Sequence, residues 1–428
     1  MDTVKNKHSA VGLGPRSCQV CGTPKTMRES RCRVCGQEHT DGVGPLPRIT
    51  GNGQAQTSRG SWLTGRMLIL SAVALGLVAW LVLTPDPSLR WTFNLVDGAR
   101  ITTSPTIAGN LVLLGDSEGR VHAVDAETGY EKWVFGEADT QVTSDLVVTA
   151  NTVIAVCGTS LFTLRLDTGT EIWHHIDTRD LGTPIVAQNE IVVSAGQSIL
   201  SLSLTDGTPS WEFDTDDGHV PTVLSATSDT LYFGYSEPAE DGAGQSAGTT
   251  TPGGVYALDL ESAQRIWVTK VKAAHGNLII TDSLIYGVDP HKRDGGAFAL
   301  ARDSGEIVWQ NTEATTELAL VDGRIFYSRQ YLTLRDQPKN GEYAAVNAVT
   351  GKKLWSFKFN GSPVSNPVAS ADRVFVGTGS ELVAIDPENG EIDWTLEVPD
   401  VVQQTPRLFA DCLYLTCGSS SLCAVEVK

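Results

Sequence analysis

From residue 84 onward the chain is a succession of short runs in which apolar residues alternate with small or polar ones, each closed by Gly, Asn, Asp, Ser or Pro. Period-two alternation of this kind predicts half-buried β-strands, and no stretch beyond residue 83 carries the 3.6-residue period of a helix. The runs are organised by a 13-residue phrase with seven copies, among them VHAVDAETGYEKW (Val121–Trp133), LFTLRLDTGTEIW (Leu161–Trp173), VYALDLESAQRIW (Val255–Trp267) and LVAIDPENGEIDW (Leu382–Trp394). Each reads as a hairpin: an alternating strand, a turn centred on Thr-Gly, Asp-Gly, Ser-Gly or Asn-Gly, and a second strand ending on Trp. Gly at the turn supplies the positive φ a tight hairpin needs. Only Ser262-Ala263 breaks that turn signal. Between phrases lie two further short runs, such as Ser104–Gly119 and Ser365–Ser380, giving about four strands per period.

Trp91, Trp133, Trp173, Trp211, Trp267, Trp309, Trp355 and Trp394 recur at intervals of 42, 40, 38, 56, 42, 46 and 39 residues. A four-stranded unit repeating near 40 residues predicts a β-propeller, with one Trp per blade covering the apolar gap to its neighbour. The count also predicts how the ring closes. Arg90–Leu95 is a Trp strand without its phrase, whereas the last phrase, LCAVEVK, ends before its Trp strand. The two halves complete one blade, so the first strand is expected to pair with the last blade and leave no open edge.

Ala123, Asp125, Thr128, Gly129 and Trp133, and again Ala384, Asp386, Gly390 and Trp394, spell A-x-D-x-x-[TN]-G-x-x-x-W. This resembles the tryptophan-docking motif of pyrroloquinoline-quinone-type (PQQ-like) propellers, over residues 90–428. The resemblance implies an all-β, eight-bladed fold. It does not fix an activity, because the family holds both quinoprotein dehydrogenases and non-catalytic scaffolds such as the outer-membrane assembly lipoprotein BamB.

Upstream the pattern changes. Met67–Leu83 runs without a charge, with Trp62 and Trp80 near its ends. Such a length, with interfacial aromatics at its ends, predicts a single transmembrane helix over residues 62–84. Residues 1–66 hold ten Lys or Arg against Asp2, Glu29, Glu38 and Asp41, a balance of +6, so the total of −18 leaves −24 on the rest. The positive flank places the N-terminus in the cytoplasm and the propeller, residues 85–428, outside the cytoplasmic membrane. The acidity of that larger part argues against nucleic acid as a partner.

Cys18, Cys21, Cys32 and Cys35 form C-x₂-C-x₁₀-C-x₂-C, with Gly22 and Gly36 after the pairs. Two such turns make a tetrahedral S₄ site, and so short a polar segment cannot fold without its metal. A structural zinc ribbon is therefore expected over residues 1–40, followed by a flexible linker, 41–61, rich in Gly, Thr and Gln. In the propeller, Cys157 and Cys417 occupy positions where other blades carry a small residue such as Gly115 or Gly377, which suits packing; Cys417 and Cys423 could alternatively pair across one hairpin.

Candidate chemistry is sparse. No two cysteines are adjacent, whereas the resemblance to quinoprotein dehydrogenases would imply a ring of adjacent cysteines over the quinone and a Trp floor beneath it. PQQ is thus not expected, and no catalytic residue stands out. G-x-S-x-G, H-E-x-x-H and Walker strings are absent. His219 and His275 open blades and could line the central funnel, with a structural, hydrogen-bonded His as the default. Two blades are enlarged: at Tyr235–Gly254, whose Glu237, Glu240 and Asp241 lack EF-hand spacing, and at Ser328–Tyr343, which offers Arg329, Tyr331 and Arg335 as interface residues. The expectation is a membrane-anchored propeller that binds a protein or cell-envelope ligand, with a transmembrane sensor and a quinone-dependent oxidoreductase as alternatives.

Overall fold

The computed structural model describes residues 87–428, apart from 137–139, 238–251, 273–275, 290–295, 313–315, 333–337, 361–364, 379–380, 399–401, 403 and 428. Residues 86–428 form a compact unit separate from 1–85. The expected zinc ribbon, linker and transmembrane helix lie outside the described residues. Among the described residues no helix is long and apolar enough to cross a membrane, and no metal-ligating cluster occurs.

The described residues build eight four-stranded antiparallel sheets. Blades 1 to 7 span 106–135, 147–176, 185–214, 220–272, 279–310, 319–360 and 368–397; blade 8 combines 407–426 with the first strand, Ser88–Asn94. First strands of neighbouring blades pack against one another, so they are innermost and the Trp strands are outermost. Closure is as the sequence predicts. Ser88–Asn94 pairs with Ser421–Glu426 in the register Trp91↔Ala424, Thr92↔Cys423, Phe93↔Leu422.

One geometry recurs around the ring. Each Trp lies across from a small or β-branched residue of the preceding strand: Ala424, Ala123, Thr163, Ser201, Ala257, Ala299, Ala345 and Ala384, in blade order from Trp91. Each indole then leaves its own sheet. Trp91 Nε1 donates to Ala126 O at 3.1 Å, Trp133 to Leu166 O at 3.0 Å, Trp173 to Leu204 O at 3.2 Å and Trp355 to Pro387 O at 2.9 Å, always in the next blade. Trp267 and Trp309 bond likewise to Arg302 and Ala348. Trp211 packs with Leu260 of blade 4, and Trp394 with Val427 of blade 8.

The ring face rests on the turn glycine of that next blade. A Cβ on Gly129 would stand 2.7 Å from Trp91 Cδ2, and one on Gly169 would stand 2.4 Å from Trp133 Cε3. This glycine is therefore required twice, for its φ of +74° in the case of Gly129 and for the ring above it. At the anomalous turn the conformation survives: Ala263 takes a φ of +53°. Asp259 Oδ1 accepts from Ser262 N at 2.8 Å and Asp259 N donates to Gln264 O at 2.8 Å, so the Asp side chain and backbone carry the turn that Gly would otherwise ease.

Candidate functional site

In a four-stranded meander, the outer-to-inner connections and the hairpins between second and third strands emerge at one end. At that end the inner strands open onto a central channel. Eight equivalent positions at or just before the inner strands, or within the longer one of blade 4, carry Ser104, Asp145, Thr183, Val223, Asn277, Glu317, Asn366 and Thr405. Several of them bond to the next blade. Asp145 Oδ1 accepts from Ser104 N at 2.7 Å, and Asn277 Oδ1 from Leu318 N at 2.9 Å. Asn366 accepts from Glu317 N at 3.1 Å and donates to Thr405 Oγ1 at 2.7 Å. A polar belt thus joins blades at the channel mouth.

Two residues further along the inner strand of blade 8, Arg407 extends over blade 1 and pairs with Asp145 of blade 2 at 3.5 Å. Burial pushes the Glu317 carboxyl upward, Asp145 adds to that shift, and Arg407 opposes it. Three charged side chains from blades 2, 6 and 8 therefore influence one another at the mouth.

Beside the mouth, Asp116 ends the second strand of blade 1 with its side chain fully buried. Burial raises its pKa, yet hydrogen bonds from His122, from the backbone and guanidinium of Arg120, and from Glu118 N outweigh that and hold it at about 2. His122 lies between two carboxylates, 3.1 Å from Asp116 and 2.7 Å from Glu131. Against this rigid corner stands a depression of about 550 Å³ lined by loops of blades 8, 1 and 2.

On the same face His219 stacks on Tyr235, with ring centroids 4.2 Å apart, and bonds through Nδ1 to Tyr256 Oη at 3.0 Å. This is the structural role expected of it. Burial, with Glu237 nearby, pushes the Tyr235 phenol up to about 12. His275, Glu240, Asp241 and Arg335 lie outside the described residues, as do Cys18, Cys21, Cys32 and Cys35. The second enlarged blade is a lengthened hairpin, Arg324–Leu332 with Pro338–Asn347, on which Arg329 is half-buried.

The cysteines resolve into two kinds. Cys417 and Cys423 form a disulfide across the last hairpin, the pairing left open by the sequence. Cys157 and Cys412 are free and buried, and burial, with a contribution from Asp116, raises Cys157 to about 11. The strand register places Cys157 and Cys417 one residue beyond the positions of Gly115 and Gly377, where blade 1 carries Asp116 and blade 3 Ala195, so the expected match to those glycines is off by one, while the burial of both agrees with packing.

The repeat, the closure and the Trp docking together point to one propeller family. A family model described as "Outer membrane protein assembly factor BamB" matches residues 77–180, 176–282, 244–311 and 293–428. The chain belongs to this BamB family. The structure of BamB from Moraxella catarrhalis is similar over 79% of this chain and 99% of that one, at 14% identity and a TM-score of 0.63. Quinohemoprotein alcohol dehydrogenase from Comamonas testosteroni is similar over 80% of this chain and 76% of that one, at 14% identity and a TM-score of 0.66. The computationally designed Ika8 protein is similar over 78% and 99%, at 15% identity and 0.62. At such identities these likenesses establish the fold. No curated protein sequence matches the chain.

A BamB-family propeller shares its architecture with quinone enzymes, so the residues at hand can be tested against that group. They do not fit it. Of ten Trp in the chain, Trp62 and Trp80 precede the propeller and the other eight pack between blades. None is left to form the floor beneath a planar cofactor. The four propeller cysteines are either paired within one hairpin or buried and separate.

Proposed function

We propose that this protein is a membrane-anchored, non-catalytic propeller scaffold that binds a protein or cell-envelope ligand through its channel-mouth face. The observation that carries the reading is the engagement of all eight propeller Trp residues in blade docking. The repeat chemistry is devoted to holding a ring closed, which leaves binding to the loops that the rigid blades present. Membership of a family described as an outer membrane protein assembly factor supports a protein partner in the cell envelope.

In this reading residues 62–84 span the cytoplasmic membrane with the N-terminus inside, and Cys18, Cys21, Cys32 and Cys35 hold a structural Zn²⁺ that supports a protein contact there. The Cys417–Cys423 disulfide supports an oxidising compartment for the propeller. The test is recovery of the intact protein from its native membrane with identification of what co-purifies. A partner held through the propeller is expected. Titration of the same protein with PQQ and Ca²⁺, followed by dye reduction with alcohols and aldoses, tests the oxidoreductase alternative; saturable binding with turnover would overturn the scaffold reading.

A further inference from the structure

In seven of the eight blades the outer Trp strand follows the third strand through a short turn, as Glu131–Phe135 follows Val121–Asp125. Blade 8 has no such turn. Its outer strand, Ser88–Asn94, comes from the other end of the propeller, and the paired residues Asn94 and Ser421 lie 327 positions apart. A strand without a turn is held to its neighbour by non-covalent contacts alone, which makes this seam the place where the ring can open.

The upper half of the closing strand is received by one short loop, Cys417–Cys423. Ser420 O accepts from Leu95 N at 2.9 Å, and Ser419 O from Ile101 N at 2.7 Å. Ser421 Oγ donates to Asn94 Oδ1 at 2.7 Å. Leu422 pairs with Phe93 and Cys423 with Thr92, whose hydroxyl lies 3.7 Å from Cys423 Sγ. Every residue from Ser419 to Cys423 thus holds the closing strand or the segment that follows it. Blade 2 uses the same pattern, with Thr159 O and Gly158 O accepting from Asp177 N and Leu181 N at 2.9 Å. There, however, the turn between Arg165 and Glu171 tethers the strand being held.

The receiving loop of blade 8 is also stiffened differently. In blade 1, Asp116 Oδ1 ties the equivalent loop by accepting from Glu118 N at 2.9 Å and Arg120 N at 2.8 Å. Cys417 stands at that position in blade 8, and its disulfide with Cys423 closes the loop covalently. Among the described residues this is the one disulfide, Cys157 and Cys412 being free. It falls in the one blade whose outer strand has no turn. Both cysteines are buried, packed with Val402 and Leu415 and edged by Thr92, so a reductant reaches the bond only when the seam opens.

We propose that Cys417–Cys423 is a redox latch: oxidised, it fixes the loop that receives Thr92–Ile101 and holds the ring closed, and reduced, it lets the first strand go. Setting the latch is thiol–disulfide exchange with an oxidised dithiol carrier. Two S–H bonds of the protein and the S–S bond of the carrier break, the Cys417–Cys423 bond and two carrier S–H bonds form, and two electrons pass to the carrier. A firmly closed propeller is thereby confined to an oxidising compartment. Ile101 and Ser419 also line the depression, together with Arg100, Thr102, Gln141 and Gln404, so the latch sets the shape of the channel-mouth face as well.

The test uses the intact protein in detergent. Hydrogen exchange read by mass spectrometry compares wild type with Cys417→Ala/Cys423→Ala. Amides of residues 88–101 should exchange at least tenfold faster in the variant, while the outer strand of blade 4, Arg265–Lys272, keeps its rates. A merely structural cross-link predicts a uniform change, or one confined to residues 412–426.

A second measurement needs no cysteine variant. Reduction of the bond by a phosphine, scored by maleimide labelling of the peptide that carries both cysteines, should be slow in wild type. Trp91→Ala, which removes the anchor of the first strand on Ala126 O, should speed it at least tenfold. Unchanged exchange over residues 88–101, equal reduction rates in the two proteins, or free thiols at both positions in protein taken from its native membrane would overturn the latch. None of these results depends on partner binding, so the latch and the scaffold reading stand or fall separately.

Discussion

Gly129→Ala isolates the docking contact, because the ring supplies its own control in Gly109. Both glycines have positive φ, +74° and +59°. A Cβ on Gly109 would meet nothing within 4 Å, whereas one on Gly129 would stand 2.7 Å from Trp91 Cδ2. Gly109→Ala therefore pays only for a left-handed Ala, roughly 1–2 kcal/mol. Gly129→Ala adds displacement of an indole whose N–H is anchored on Ala126 O. Overpacking of this kind costs about 1–3 kcal/mol more, for a total of roughly 2–5 kcal/mol. Guanidinium denaturation followed by tryptophan fluorescence gives both values on one scale. Ala263→Gly supplies the mirror experiment, since it relieves a φ of +53° at the same turn position and should stabilise by about 1 kcal/mol. Equal losses for Gly129→Ala and Gly109→Ala, within about 0.5 kcal/mol, would refute the claim that the Trp–Gly contact joins the blades.

Closure through the first strand predicts that Trp91→Ala, which removes the indole bond to Ala126 and the contact with Tyr414, destabilises by about 3 kcal/mol; an unchanged denaturation midpoint would count against it. Asp116 is held at about 2 against its usual 3.8, which corresponds to about 2 kcal/mol of stability at neutral pH. Because the folded value is the lower one, that contribution is present above pH ~4 and is lost as pH falls from there toward ~2. Asp116→Asn should be less stable at pH 7 and should flatten the pH-stability curve in that window. Metal analysis of residues 1–45 should find about one Zn²⁺ per chain, lost after Cys32→Ser with Cys35→Ser.

The blade circuit was legible because docking is local and repeated. The phrase that forms each hairpin also places the Trp, the carbonyl it bonds and the glycine it covers, so seven copies state one contact. Even the closing blade was visible, as a Trp strand at Trp91 without a phrase and a final phrase without its Trp strand. The site features were less so. Asp145 and Arg407 lie in different blades and meet only because inner strands converge on one axis. The available signal was an Arg at an inner-strand position where blades 1 to 3 carry Thr106, Val147 and Ile185. The depression at Arg100 and Thr102 draws on four loops from three blades, and no periodicity relates them. Ser262-Ala263 carries no turn signal in the sequence because Ala disfavours the left-handed conformation; the Asp259 side-chain bonds override that preference.

The central claim, a scaffold that holds its partner on the channel-mouth face, is tested most directly by site-specific photo-crosslinking in the native membrane. A crosslinking residue is placed at Gln141 on that face, and in a separate protein at Tyr130, an exposed turn residue at the opposite end of blade 1. The account predicts one discrete covalent protein adduct from position 141 and none from position 130. Adducts only from position 130, or none from either while the purified protein turns over substrate with bound PQQ, would contradict it.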